Sequence, residues 1–155
     1  MSLYEEIGLY KPFIHKGHET LLNIVVTSTL LVKEAQQILR PAGLTDAQFN
    51  ILMMLKGQTE NGRLNQTELG KMLLVNRSNV TGLIDRMERD GLVERIPDPE
   101  DRRVNFVQIT KTGETVLIKA QALYYERVKD IISGITPDED NQLCETLRKI
   151  RSGIK

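Results

Sequence analysis

One cysteine, Cys144, is all that the 155 residues contain, so an internal disulfide framework is excluded and a reducing cytoplasm suits the chain. Net charge is also missing: 21 basic residues balance 21 acidic ones. A strongly basic total would point to nucleic acid, and any such case must rest here on local placement of charge. No apolar run approaches the roughly 18 residues that span a membrane. The longest, "NIVVTSTLLV", is short and broken by Thr and Ser. The start, "MSLYEEIG", is acidic and does not read as a signal peptide. Enzyme signatures are lacking too. There is no glycine-rich phosphate loop, no G-x-S-x-G and no H-E-x-x-H. Two histidines and one cysteine leave few ways to build a nucleophile–base pair. The chain reads as a non-enzyme with no cofactor and no metal site.

What is there is mostly helical. Ser2 and Glu5 stand at capping-box spacing, which predicts a short first helix before Pro12. Residues 17–40 carry a broad apolar stripe that includes Leu21, Ile24, Val25, Leu31, Val32, Ala35 and Leu39. That width predicts burial on more than one side, and Pro41 and Gly43 stop the helix. Thr45 and Gln48 predict the next N-terminus, with Leu44 and Phe49 as its hydrophobic staple. Asn65 and Glu68 predict another cap; Leu69, Met72 and Leu73 are the expected inner face, and Gly70 suggests a close helix approach. After "LVN" comes a helix in which Val80, Leu83, Ile84 and Met87 follow the i, i+3, i+4, i+7 rule, and Gly91 ends it. "LVERI" and "VNFVQIT" read as strands. A long helix is expected over 112–133, with a stripe through Val116, Ala120, Tyr124, Val128 and Ile131. A last one starts at the Thr136–Pro137–Glu139 cap, with Leu143, Leu147, Ile150 and Ile154 along it.

Two helices joined by a tight turn and followed by a β-ribbon are the pattern of a winged helix-turn-helix. The fold class is therefore mainly α with a small two- or three-stranded β wing, a winged helix-turn-helix flanked by N- and C-terminal helices. Residues 1–155 form one domain. Within it, the apolar stripes of 1–41 and 112–155 exceed what one small lobe covers, so a helical dimerisation region is expected there, and 44–111 is the expected DNA-binding lobe. With Val80, Leu83, Ile84 and Met87 turned inward, the outward face of the second helix carries Arg77, Ser78, Asn79, Thr81, Gly82 and Arg86. Arginine can pair bidentately with guanine, asparagine with adenine, and serine or threonine with base or phosphate. Thr67, on the preceding helix, joins the candidate contacts. A solvated polar face is the bland alternative for one helix alone; the order of all the elements together is more specific. Residues 63–111 hold nine basic and eight acidic groups, but 71–84 contain Lys71 and Arg77 and no acid. Phosphate contact there should be modest in affinity and sensitive to salt.

The run "VNRSNVTGLIDRMERDGLVERIPDPEDRRVNFVQITKTG" resembles the core of the MarR family of bacterial transcriptional regulators. The hairpin fits that family's D-x-R-x-x-x-V-x-[LI]-T pattern as Asp101, Arg103, Val107, Ile109 and Thr110, with Gly113 following. Gly91, Leu92, Val93 and Arg95 fit the exit from its recognition helix. The resemblance implies a homodimer with interlocked terminal helices on double-stranded DNA. It implies two recognition helices in successive major grooves of a pseudo-palindromic operator, with each wing in a minor groove. It also implies release by a small, aromatic or phenolic effector. The expected DNA contacts thereby extend to Asp101, Arg102 and Arg103, with Asp101 orienting the Arg103 guanidinium.

His15 and His18, three apart, read first as a surface or interface pair. In the family the start of the first long helix borders the effector pocket, so His15, His18 and Met53 are its candidate lining. Cys144, beside Leu143, reads as a small hydrophobe, and Met53, Met54, Met72 and Met87 read as core. The expected function is thus a sequence-specific, homodimeric, cytoplasmic repressor. Two alternatives stand beside it. One is a winged-helix protein-interaction module without DNA binding, which the near-neutral lobe favours. The other is a metal-responsive regulator using His15 and His18.

Overall fold

The computed structural model describes residues 2–57, 62–73, 77–99 and 104–154, with the backbone alone for 77–79. The chain opens with α1 (Leu3–Glu6), where the Glu5 carboxylate accepts hydrogen bonds from the Ser2 amide and hydroxyl, both at 2.8 Å. The long helix α2 (Lys16–Leu39) then runs for 24 residues, about 36 Å at the standard rise. It ends in a 3₁₀ turn, Arg40–Ala42, and Gly43 takes the left-handed φ of 72° that the break requires.

The cap motifs expected from sequence form as hydrogen-bonded pairs. At α3 (Asp46–Gly57) the Gln48 side chain accepts from the Thr45 amide at 2.9 Å, while Leu44 and Phe49 are both buried. A three-residue strand β1 (Arg63–Asn65) leads straight into α4 (Gln66–Leu73), whose cap is reciprocal. Asn65 Oδ1 accepts from the Glu68 amide at 2.9 Å, and Glu68 accepts from the Asn65 amide at 2.8 Å. The helix α5 (Arg77–Arg89) follows; the "LVN" turn at 74–76 lies outside the described residues.

Strands β2 (Val93–Pro97) and β3 (Asn105–Ile109) complete an antiparallel sheet of order β1-β3-β2. Val93 faces Ile109, Arg95 faces Val107, and Leu64 faces Val107 from the other side. The chain closes with α6 (Lys111–Ile132) and α7 (Pro137–Ser152).

The core gathers Leu39, Phe49, Ile51, Leu52, Leu55, Leu69, Val80, Ile84, Met87, Val107, Leu117 and Ala120 into one cluster that the lobe shares with α2 and α6. Several expectations change. Met72 is exposed rather than inward, because α4 turns Leu69 and Gly70 to the core. The third strand comes from Arg63–Asn65, too short to show alternation. The long helix begins at Lys111, capped by Thr110, and its inward positions are Gly113, Leu117 and Ala120. Cys144 is exposed in the single chain. The double-sided burial expected of α2 is also absent: only Ala35 and Leu39 are buried, while Leu21, Val25, Leu30, Leu31 and Val32 are exposed. Helix α7 buries none of its residues.

Candidate nucleic-acid interface

Helix α5 is divided cleanly between two environments. Val80, Ile84 and Met87 are wholly buried and Leu83 is half-buried, which fixes the helix on the core. Gly82 and Arg86 are consequently exposed, and Thr81 is half-buried. Arg77, Ser78 and Asn79 occupy the first turn of the same helix. Thr67 is exposed one helix earlier, near the N-terminus of α4. The two helices are tied across their crossing by the Thr81 hydroxyl, which donates to Gln66 Oε1 at 3.2 Å. Sequence reasoning passed over Gln66, whose only signal was its place directly after a capping Asn.

The hairpin is anchored at its base by a compact set of contacts. Gly91 takes φ 70° and ends α5, and the Leu92 amide donates back to the Met87 carbonyl at 2.9 Å. The Thr110 amide donates to the Leu92 carbonyl at 3.1 Å, and its hydroxyl donates to the Gly91 carbonyl at 2.6 Å. The same hydroxyl oxygen accepts from the Gly113 amide at 3.0 Å, capping α6. Gly113 is required there by space: a Cβ would stand 2.1 Å from the Leu92 carbonyl oxygen. Further out, the Asp98 amide donates to the Val104 carbonyl at 2.9 Å. Asp101, Arg102 and Arg103 lie outside the described residues, and so does the proposed Asp101–Arg103 pair.

Charge inside this lobe is placed rather than summed. The Arg95 guanidinium bonds both Asp85 and Glu88, and the Arg95 amide donates to Glu88 Oε1 at 3.1 Å. Partial burial opposes the charge on Arg95, but the bonds from Asp85 and Glu88 outweigh it and raise its pKa above the ordinary arginine value. Arg86, on the outer face, has no ion pair among the described residues and is exposed. A polar cavity of about 450 Å³ opens between the start of α4 and the start of β3, with Gln66, Thr67 and Lys71 on its wall.

His15, His18 and Met53 are not brought together at a cavity described here. His15 precedes α2 and is exposed; His18 is exposed, with its ring edge-on to Phe13 at 5.4 Å. Met53 packs on the core, and its sulfur accepts from the Gln121 amide at 3.0 Å. The largely apolar cavity instead lies among α2, α6 and α7. It has about 540 Å³, walled mainly by Ile24, Leu31, Ala35, Tyr124, Leu143 and Leu147, with Asn23, Thr27, Ser28 and, from α3, the acidic Asp46 as polar points. Among the described residues no group of three or more His, Cys, Asp or Glu could hold a metal ion, and no helix is long and apolar enough to cross a membrane.

Residues 42–104 match the MarR family. The transcriptional activatory protein BadR of Rhodopseudomonas palustris is 39% identical over 129 residues, covering 83% of this chain and 74% of that protein. The homoprotocatechuate degradative operon repressor of Escherichia coli is 30% identical over 112 residues, 72% of this chain and 74% of the relative. Among solved structures, Sco3205 of Streptomyces coelicolor, a MarR family transcriptional regulator in complex with DNA, superposes with a TM-score of 0.82. The two are 27% identical, with 94% of this chain and 93% of that one covered. The helix pair, the arginine-bearing hairpin and these relatives agree, and the chain belongs to the MarR family of transcriptional regulators.

Proposed function

We propose that the protein is a homodimeric, sequence-specific DNA-binding repressor that acts in the cytoplasm on a pseudo-palindromic operator. The observation that carries this is the partition of α5: a wholly buried Val80–Ile84–Met87 face sets the opposite face, with Gly82 and Arg86, free to enter a major groove, and the helix begins with Arg77, Ser78 and Asn79. Arg102 and Arg103 at the hairpin tip are assigned to the neighbouring minor groove, where the potential is most negative. That a relative of the same fold has been solved in complex with DNA supports the DNA-binding reading. Repression in place of activation depends on where the operator lies relative to the promoter.

The exposed apolar faces of α2, α6 and α7 support a second copy of the chain as partner. The apolar cavity among those helices suits a small aromatic effector better than the His15–His18–Met53 set does. A metal-responsive reading lacks a third donor beside the two histidines among the described residues. The assembly-module reading retains one observation in its favour, the near balance of charge over residues 63–111.

The test is titration of duplex from the protein's own promoter region at several salt concentrations. The reading expects affinity to fall steeply with salt, by nearly one power of salt concentration per phosphate neutralised. It also expects Arg77→Ala and Arg103→Ala to weaken binding. Salt-independent binding, or an unchanged complex in both variants, would favour the assembly module.

A further inference from the structure

The alternation of β2 puts Val93 and Arg95 on one face of the hairpin, the face that Val93 buries against the core. An apolar side chain is what packing alone asks for at position 95. The chain places an arginine there instead and surrounds it with two acids one helical turn apart on α5, Asp85 and Glu88. Only 22% of the Arg95 side chain is exposed. Such a partly buried ionic cluster is a poor source of stability, since apolar residues of similar volume commonly do as well. What it supplies is direction. A planar guanidinium held by two carboxylates fixes an angle, which a methyl contact does not. The backbone is held as well, because the Arg95 amide donates to the same Glu88 carboxylate.

Resting on the DNA-binding reading above, we infer that Arg95 is a positioning residue that sets the angle between the wing and the recognition helix through Asp85 and Glu88. The three groups touch no base or phosphate themselves. They determine whether the hairpin tip and α5 can occupy adjoining grooves together. They also explain two of the acids that otherwise argue against DNA, since Asp85 and Glu88 are spent on Arg95.

The experiment compares operator affinity, its salt dependence and thermal stability for the full chain and for Arg95→Ala, Arg95→Lys and the double variant Asp85→Asn/Glu88→Gln. A positioning role expects Arg95→Ala to bind roughly three- to tenfold more weakly with an unchanged salt slope, and Arg95→Lys to recover part of the loss. The double variant gives a test of sign. Removing two negative charges near DNA should strengthen binding by electrostatics alone, whereas losing the wing's angle should weaken it. A salt slope smaller by about one in Arg95→Ala would make Arg95 a direct phosphate contact and overturn the inference. So would tighter binding by the double variant, or unaltered affinity in all three. If Arg95→Ala does not fold, Arg95→Lys and the double variant still decide between these outcomes. A wild-type protein that binds no duplex would overturn the DNA-binding reading itself, a result separate from equal binding by wild type and variants.

Discussion

Gly113 has 2.1 Å between its virtual Cβ and the Leu92 carbonyl oxygen, and that oxygen also accepts from the Thr110 amide. The obstacle is backbone already engaged in a bond, so it cannot yield as the end of a side chain would. Gly113→Ala should therefore destabilise the protein by about 2 kcal/mol or more, read as a lowered urea midpoint with an unchanged slope. An unaltered midpoint would show that the junction is looser than its distances imply. Position 113 was legible in the sequence only as part of a pattern; nothing in "TKTGE" reveals that a carbonyl from residue 92 lies over it. Thr110 was likewise legible only as a matched position of that pattern, while its double role was not, since its hydroxyl serves both a helix cap and a bond nineteen residues away. The candidate DNA residues show the converse. Gly82 and Arg86 are exposed as their spacing predicts, because the amphipathic period of α5 is strong enough to set its own rotation.

At the scale of elements, caps were the most legible feature and rotation about short helices the least. The Thr45–Gln48, Asn65–Glu68 and Thr136–Glu139 pairs form because a capping box is a local bond pattern. Met72 could not be placed this way: eight residues give too little period to choose between Met72 and Gly70, and the contact with neighbouring elements decides. At α7 the cap makes a pH prediction. The Thr136 amide and then its hydroxyl hold the Glu139 carboxylate below its ordinary pKa. A carboxylate depressed in the folded state stabilises at pH above its unfolded value, and loses that contribution as pH falls through the folded one. The protection factors of amides in the first turn of α7, measured against intrinsic exchange at each pH, should hold down to the ordinary carboxylate range and fall below it. Glu139→Gln, which still caps but does not ionise there, should remove that dependence. Protection factors that do not change with pH in the unmodified chain would contradict the role of the carboxylate.

For the whole molecule, the outer helices carry the clearest unfinished business. Leu143 and Ile154 are 48% and 76% exposed, and no residue of α7 is buried by its own chain. The proposed homodimer predicts a mass in solution of twice 17.6 kDa by light scattering. Leu143→Asp with Ile154→Asp should return it to one chain's mass while far-ultraviolet dichroism is retained. A wild-type mass of one chain would refute the pairing. The N- and C-terminal segments were legible as apolar stripes, but a stripe does not say what lies against it. The broad face of α2 was expected to be covered on two sides, and in the single chain it is not.

The junction of Gly91, Leu92, Thr110 and Gly113 closes the hairpin at both ends of its base, and one of those ends is the first turn of α6. The hairpin is thus a lever whose fulcrum is shared with a helix that reaches toward the apolar cavity at Tyr124. Its strands extend about 15 Å from that fulcrum. At that length, a change of about 10° at the base would displace the far end by about 3 Å. That is about the length of a hydrogen bond, so the tightness of the Gly113 junction governs to within one bond length where the far end of the hairpin lies.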